Sequence, residues 1–146
     1  EGGYSLRNIS ITTTTGTIQQ KEKLIQKFME SVLKNLFFKK GLSVNEFYIF
    51  REEQRLNGIM PDLTVNFSLI GNVIIEVKLA FNDELKGTKA MEYSKKMKQY
   101  LSNAVYGYLL IIQVDENGLE KENLTELENT IYKDMDVKVI YKDLNI

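Results

Sequence analysis

The chain has 146 residues, 43% apolar and 27% charged, with a formal net charge of −1 and neither cysteine nor histidine. That length and balance suit one globular domain large enough to bury its own core. The missing residues exclude a disulfide scaffold, thiolate or imidazole metal sites, and any Ser-His-Asp or Cys-His catalyst.

Residues 1–17 are rich in Thr, Ser and Gly and read as a lead-in arm or one weak edge strand, with the domain proper over 18–146. From Ile18 to about Lys40, apolar residues recur at spacings of three and four (Leu24, Ile25, Phe28, Met29, Val32), which predicts an amphipathic helix. Gly41 after two lysines is a helix stop. Phe47 to Phe50 is aromatic and β-branched and predicts a strand continuing to about Glu53. Asn57-Gly58 is a favoured hairpin turn pair. Asp62 to Leu69 alternates polar and apolar, and Val73 to Leu79 is a second β-like run. Lys86 to Val105 predicts a helix with Ala90, Met97, Leu101 and Ala104 on one face. Tyr106 to Val114 is nearly all apolar, as in a strand covered on both faces. Leu119 to Tyr132 predicts a third helix and Val137 to Leu144 a last strand. Helix, three strands, helix, strand, helix, strand is an α/β order, with a three-strand meander feeding a helical crossover.

The chemistry-bearing residues are Asp62, after Pro61, and Glu76 and Lys78 inside the apolar run Ile74 to Leu79. Glu76 and Lys78 are two apart on a strand and so share a face. A charged pair in such a strand is costly unless it is paired, solvated or bound to metal. If Leu69-Ile70-Gly71 is a three-residue hairpin loop with Gly71 left-handed, Ser68 faces Asn72 and Asp62 faces Lys78. Glu76 is then the diagonal neighbour of Asp62, with Cα atoms roughly 7–8 Å apart. With only oxygen ligands available, the expected ion is hard, such as Mg²⁺, Mn²⁺ or Ca²⁺. Asp62 and Glu76 are expected to hold it, with the Val77 carbonyl, while Lys78 positions or helps deprotonate the attacking water.

On Pro61-Asp62, Glu76-Val77-Lys78 and the element order over roughly residues 18–114, the chain resembles the PD-(D/E)XK phosphodiesterase superfamily. The resemblance implies a restriction-endonuclease-like core: a central mixed β-sheet flanked by helices. It also implies an endonuclease that hydrolyses DNA with Mg²⁺ or Mn²⁺. Many members carry an acid on the first helix. Glu22 lies within that helix's apolar face at ~100° per residue whereas Glu30 does not, so Glu22 is preferred, with Glu52 or Glu53 as substitutes. Many members also place a Gln four residues before a Tyr on the next helix; here Lys96 precedes Tyr100, and a lysine there contacts phosphate as a point charge.

Plainer readings stand beside these. Glu76 and Lys78 also suit an exposed ion pair, Asp62 a turn after Pro61, Glu22 a first-turn acid favoured by the helix dipole, and Lys96 a solvated face. The six tyrosines after residue 90 suit base stacking but read as core or rim. The net charge of −1 argues against a stand-alone nucleic-acid binder, although five lysines (86, 89, 95, 96 and 98) stand against the single acid Glu92 over residues 86–98. The alternative is therefore a catalytically inactive nuclease-fold module that binds nucleic acid or protein. No apolar run approaches the ~18 residues of a membrane span. The missing cysteines fit a reducing, cytoplasmic compartment. The opening Glu1-Gly2-Gly3 reads as a piece of a longer protein with further domains, and a homodimer is compatible with the resemblance.

Overall fold

A computed structural model of the chain describes residues 18–51, 61–116 and 118–144. The elements are α1 (Ile18–Lys39), β1 (Phe47–Arg51), β2 (Leu63–Phe67), β3 (Gly71–Leu79), a 3₁₀ turn (Asp83–Leu85), α2 (Gly87–Leu101), β4 (Tyr106–Gln113), α3 (Lys121–Glu126) running into a π turn (Leu127–Ile131), and β5 (Val137–Asp143). The five strands form one sheet in the order β1-β2-β3-β4-β5. The first three pair antiparallel and the last two join parallel. This is the mixed, helix-flanked α/β sheet that the element order predicts. The arm over 1–17, the Asn57-Gly58 turn, and Glu52 and Glu53 lie outside the described residues.

Two helix ends have a visible cause. α1 ends in a Schellman motif, with the Leu42 N–H donating to Phe37 O (3.0 Å) and the Gly41 N–H to Phe38 O (3.0 Å). Gly41 sits at φ 92°, where a side chain is strained. α2 stops at Leu101 rather than Val105. The Ser102 hydroxyl turns back onto Gln99 O at 2.6 Å, and the Val105 N–H already donates to Asn72 O of β3 at 2.8 Å. A short polar side chain competing for the last carbonyls ends a helix this way. The third helix also departs from expectation: α3 lasts six residues and is followed by a π turn.

The sheet buries both faces. On one side α1 covers Ile49, Leu63, Val65, Ile75, Val77 and Leu79. On the other, α2 and the π turn cover Ile74, Ala80, Leu109 and Ile111, with Tyr93, Met97, Leu127 and Tyr132 in the same cluster. Glu76 and Lys78 have the parity of Ile74 and Ala80, so they project into the layer under α2. The apolar walls around them are buried residues of that cluster, Ile74, Leu109 and Ile111 among them.

The β2–β3 register corrects the sequence-based expectation by two residues. Asn66 pairs with Asn72 and Phe67 with Gly71, so the loop is Ser68-Leu69-Ile70. Gly71 is left-handed as expected, at φ 116°, but it is the first residue of β3 and not the last of the loop. Ser68 is drawn out of the ladder by the segment before β1: its N–H donates to Glu46 O at 3.1 Å and its hydroxyl to Asn45 O at 2.7 Å. Asp62 therefore stands across from Glu76, not Lys78. A shift of two preserves the face; a shift of one would not.

Candidate active site at the open edge of β3

The site forms where β2 stops. Its last rung pairs Leu63 with Ile75. The Ala80 N–H donates to Ile112 O of β4, so Val77 and Leu79, of opposite parity, turn their backbone groups the other way, toward β2. The next hydrogen-bonded rung would set Pro61 against Val77, and proline has no N–H to offer the Val77 carbonyl. The ladder ends there, and side chains take over the backbone groups that β2 leaves unpaired. The Val77 N–H donates to the Asp62 carboxylate at 2.7 Å. The Leu79 N–H donates to the Glu22 carboxylate at 2.8 Å. Glu22 thus reaches from α1, on the far face, through the gap that β2 leaves.

Glu76 is 3% exposed. One of its oxygens accepts from the Asp62 N–H at 2.5 Å and the other from the Tyr93 hydroxyl of α2. Burial, then the adjacent Asp62 charge, push its pKa well above the usual carboxylate range, against the pull of the Asp62 N–H, Lys78 and Lys96. Burial likewise raises Glu22, opposed by the Leu79 N–H, Lys78 and Asn82, while Asp62 adds to the rise. Two carboxylates thus face each other with one of them fully desolvated, an arrangement that favours a proton or a cation between them.

Lys78 is also buried. Its Nζ donates to Glu84 of the 3₁₀ turn at 2.7 Å and lies 4.2 Å from the Tyr93 ring centroid. Burial pulls its pKa down, but the Glu84 bond and the charges of Glu22, Glu84 and Glu76 outweigh that and leave it raised. Lys78 is therefore a cation at neutral pH. Lys96 is exposed on α2, its Nζ 5.9 Å from the same ring centroid. It lines an open groove of about 390 Å³ with Glu84, Lys89, Glu92 and Tyr93. Glu30 lies elsewhere, in an ion pair with Arg51 at 2.7 Å.

The structure thus brings Asp62, Glu76, Lys78 and Glu22 to one edge and leaves Lys96 on the rim. Three neighbours went unread in the sequence. Asn82 caps the 3₁₀ turn, accepting from the Glu84 N–H at 2.9 Å, and donates to Glu22 at 3.2 Å. Asn-Asp-Glu after an apolar strand is a readable cap signal. Glu84 carried no signal of its own. Tyr93 shares the face of Ala90 and Met97, and a phenol at helical spacing reads as core until its hydroxyl is placed.

The fold has a solved counterpart. It is similar to the structure of SfsA from Pyrococcus furiosus in complex with Ca²⁺, with a TM-score of 0.50 and 14% sequence identity. The match covers 84% of this chain and 58% of that one, so the chain spans little more than half of its neighbour's length. At that identity the likeness establishes the fold. No family model and no curated protein matches the chain.

Among the described residues, no group of three or more acidic side chains is disposed to cage a metal. The donor set is two carboxylates, with the Val77 carbonyl on the same edge. Mg²⁺ keeps several waters and commonly needs one or two carboxylates, so these residues fit a hard, partly hydrated cation. No helix of the described residues is long and apolar enough to cross a membrane.

Proposed function

We propose that this domain is a metal-dependent nuclease of the PD-(D/E)XK type, hydrolysing phosphodiester bonds of DNA. Asp62 and Glu76, with the Val77 carbonyl, hold Mg²⁺ or Mn²⁺. The cation neutralises charge on the phosphate and acidifies water. Lys78, protonated, acts as a fixed positive charge beside the attacked phosphate, which favours the positioning role over the base role. Glu22 and Asn82 hold the β3 edge and so fix where the Glu76 and Lys78 side chains emerge. Lys96 meets the phosphate chain at the rim.

The observation that carries this reading is the pairing across the end of the ladder: Asp62 and Glu76 side by side, one buried and each raising the demand for positive charge. The Ca²⁺ named with the SfsA structure supports a hard cation in this fold. The test is plasmid incubated with the domain and Mn²⁺ or Mg²⁺. Wild type cleaves, and Glu76→Ala and Lys78→Ala each lose on the order of a hundredfold or more. Equal cleavage by wild type and Glu76→Ala overturns the assignment.

A second reading, an inactive module that binds nucleic acid or protein, draws on the Lys78–Glu84 ion pair at 2.7 Å and the net charge of −1. Mn²⁺ titration separates the two: an inactive site binds no ion in a manner dependent on Asp62 and Glu76.

A further inference from the structure

Tyr132 is 2% exposed, and its hydroxyl is fully buried with no hydrogen-bond partner among the described residues. It is the residue at which the π turn Leu127–Ile131 ends, its N–H closing onto Leu127 O at 2.9 Å. Two costly features therefore meet at one residue. A buried hydroxyl left unpaired is destabilising, and a π turn is rare and concentrated at functional sites. A phenylalanine would fill the same space without the first cost.

Tyr132 belongs to the apolar cluster that also contains Tyr93 and the β4 residues Leu109 and Ile111. Those β4 residues pair with Glu76 and Lys78. The hydroxyl thus lies in the layer into which both site residues project; burial raises its pKa, and Glu76 and Glu84 add to the rise.

We propose that Tyr132 is a positioning residue for the acidic site, its hydroxyl being the inner donor that steadies the Glu76 carboxylate when the site is loaded with its divalent cation. This rests on the metal-dependent reading above. A carboxylate offers about four lone-pair sites. In Glu76 the Asp62 N–H and the Tyr93 hydroxyl occupy one on each oxygen. A divalent cation held by Asp62 and Glu76 would use a further one and would keep the carboxylate an anion. That leaves capacity for one more donor, and Tyr132 is a buried hydroxyl of that layer with no partner among the described residues. Outer donors of this kind orient ligating groups and commonly carry tenfold or more of metal affinity.

The experiment is Mn²⁺ binding by calorimetry together with thermal unfolding in chelator, for wild type, Tyr132→Phe and Glu76→Gln. Tyr132→Phe is expected to bind Mn²⁺ about tenfold more weakly, while its ion-free unfolding temperature stays level or rises, since an unpaired buried hydroxyl has been removed. Unchanged Mn²⁺ affinity overturns the proposal. So does a fall in the ion-free unfolding temperature, because the hydroxyl then has a partner without the ion. Glu76-dependent Mn²⁺ binding in wild type with unchanged affinity in Tyr132→Phe removes the Tyr132 role alone. Absence of Glu76-dependent binding in wild type removes the metal reading and this role with it.

Discussion

Glu76 is held in conditions that oppose its charge. Its pKa is raised first by burial and then by Asp62, so the folded chain binds that proton more tightly than the unfolded chain, where the value is near 4.5. The ion-free fold therefore loses stability as pH climbs from there through the folded value, and the loss is complete above it. Glu76→Gln removes this liability and keeps the geometry, since the amide oxygen still accepts from the Asp62 N–H and the Tyr93 hydroxyl can accept as well as donate. In chelator at neutral pH the variant should melt higher than wild type, by on the order of 1 kcal/mol per pKa unit relieved, and its advantage should shrink on acidification. Thermal melts over a pH series measure this. A variant that melts lower at neutral pH would mean that the Asp62 and Tyr93 donors more than compensate the buried anion. At this scale part was legible: strand parity puts Glu76 and Lys78 on one face, Asp62 was expected beside them from a register that the structure shifts by two residues, and Glu22 was sought because of the family resemblance and chosen over Glu30 by helical angle. Tyr93 and Tyr132 were not, because a phenol on an apolar face looks the same whether its hydroxyl is idle or aimed at a carboxylate.

The elements meet at a stretch of the β3 edge that no strand of the described residues covers. β2 begins only at Leu63 because Pro61 cannot extend the ladder in the N-terminal direction, and α1 closes the rest of the gap by sending Glu22 to the Leu79 N–H. Glu22→Ala leaves that buried N–H without an acceptor and should cost about 1–3 kcal/mol. Glu22→Gln keeps an acceptor oxygen, loses the strain of a buried carboxylate, and should cost well under half as much. Urea unfolding of the two variants decides it; equal costs would show that packing of the side chain, and not the bond to β3, is what matters. Element order was readable from periodicity because each amphipathic run reports its own buried face. The β2–β3 register was not. It is set by Ser68 reaching back to Asn45 and Glu46, a contact more than twenty residues away in the chain that no local turn rule contains. The π turn escaped for a related reason: the sequence over 127–131 continues an ordinary helical pattern, and the widened turn shows only in the backbone.

At the scale of the whole molecule, the difficulty for the proposed DNA hydrolysis is charge. A net −1 gives no general attraction to a polyanion, so binding must come from segregation of charge. α2 supplies it. Lys89 and Lys96 line the groove beside Tyr93, next to the layer where Glu76 and Lys78 sit, so phosphates approaching the site meet these two side chains. Each phosphate neutralised releases counterion, and the slope of log affinity against log salt falls by about one for each phosphate that a variant leaves unneutralised. Lys89→Ala and Lys96→Ala should each flatten that slope by about one and weaken binding similarly on all sequences. Lys133→Ala, after the π turn, and Lys138→Ala, on β5, should leave it unchanged, although each removes the same formal charge. Fluorescence anisotropy with a labelled duplex and Ca²⁺ in place of Mg²⁺, over a salt series, gives the slopes. Equal effects from all four variants would mean that DNA responds only to net charge; no effect from Lys89 and Lys96 would move the phosphate path off α2 altogether.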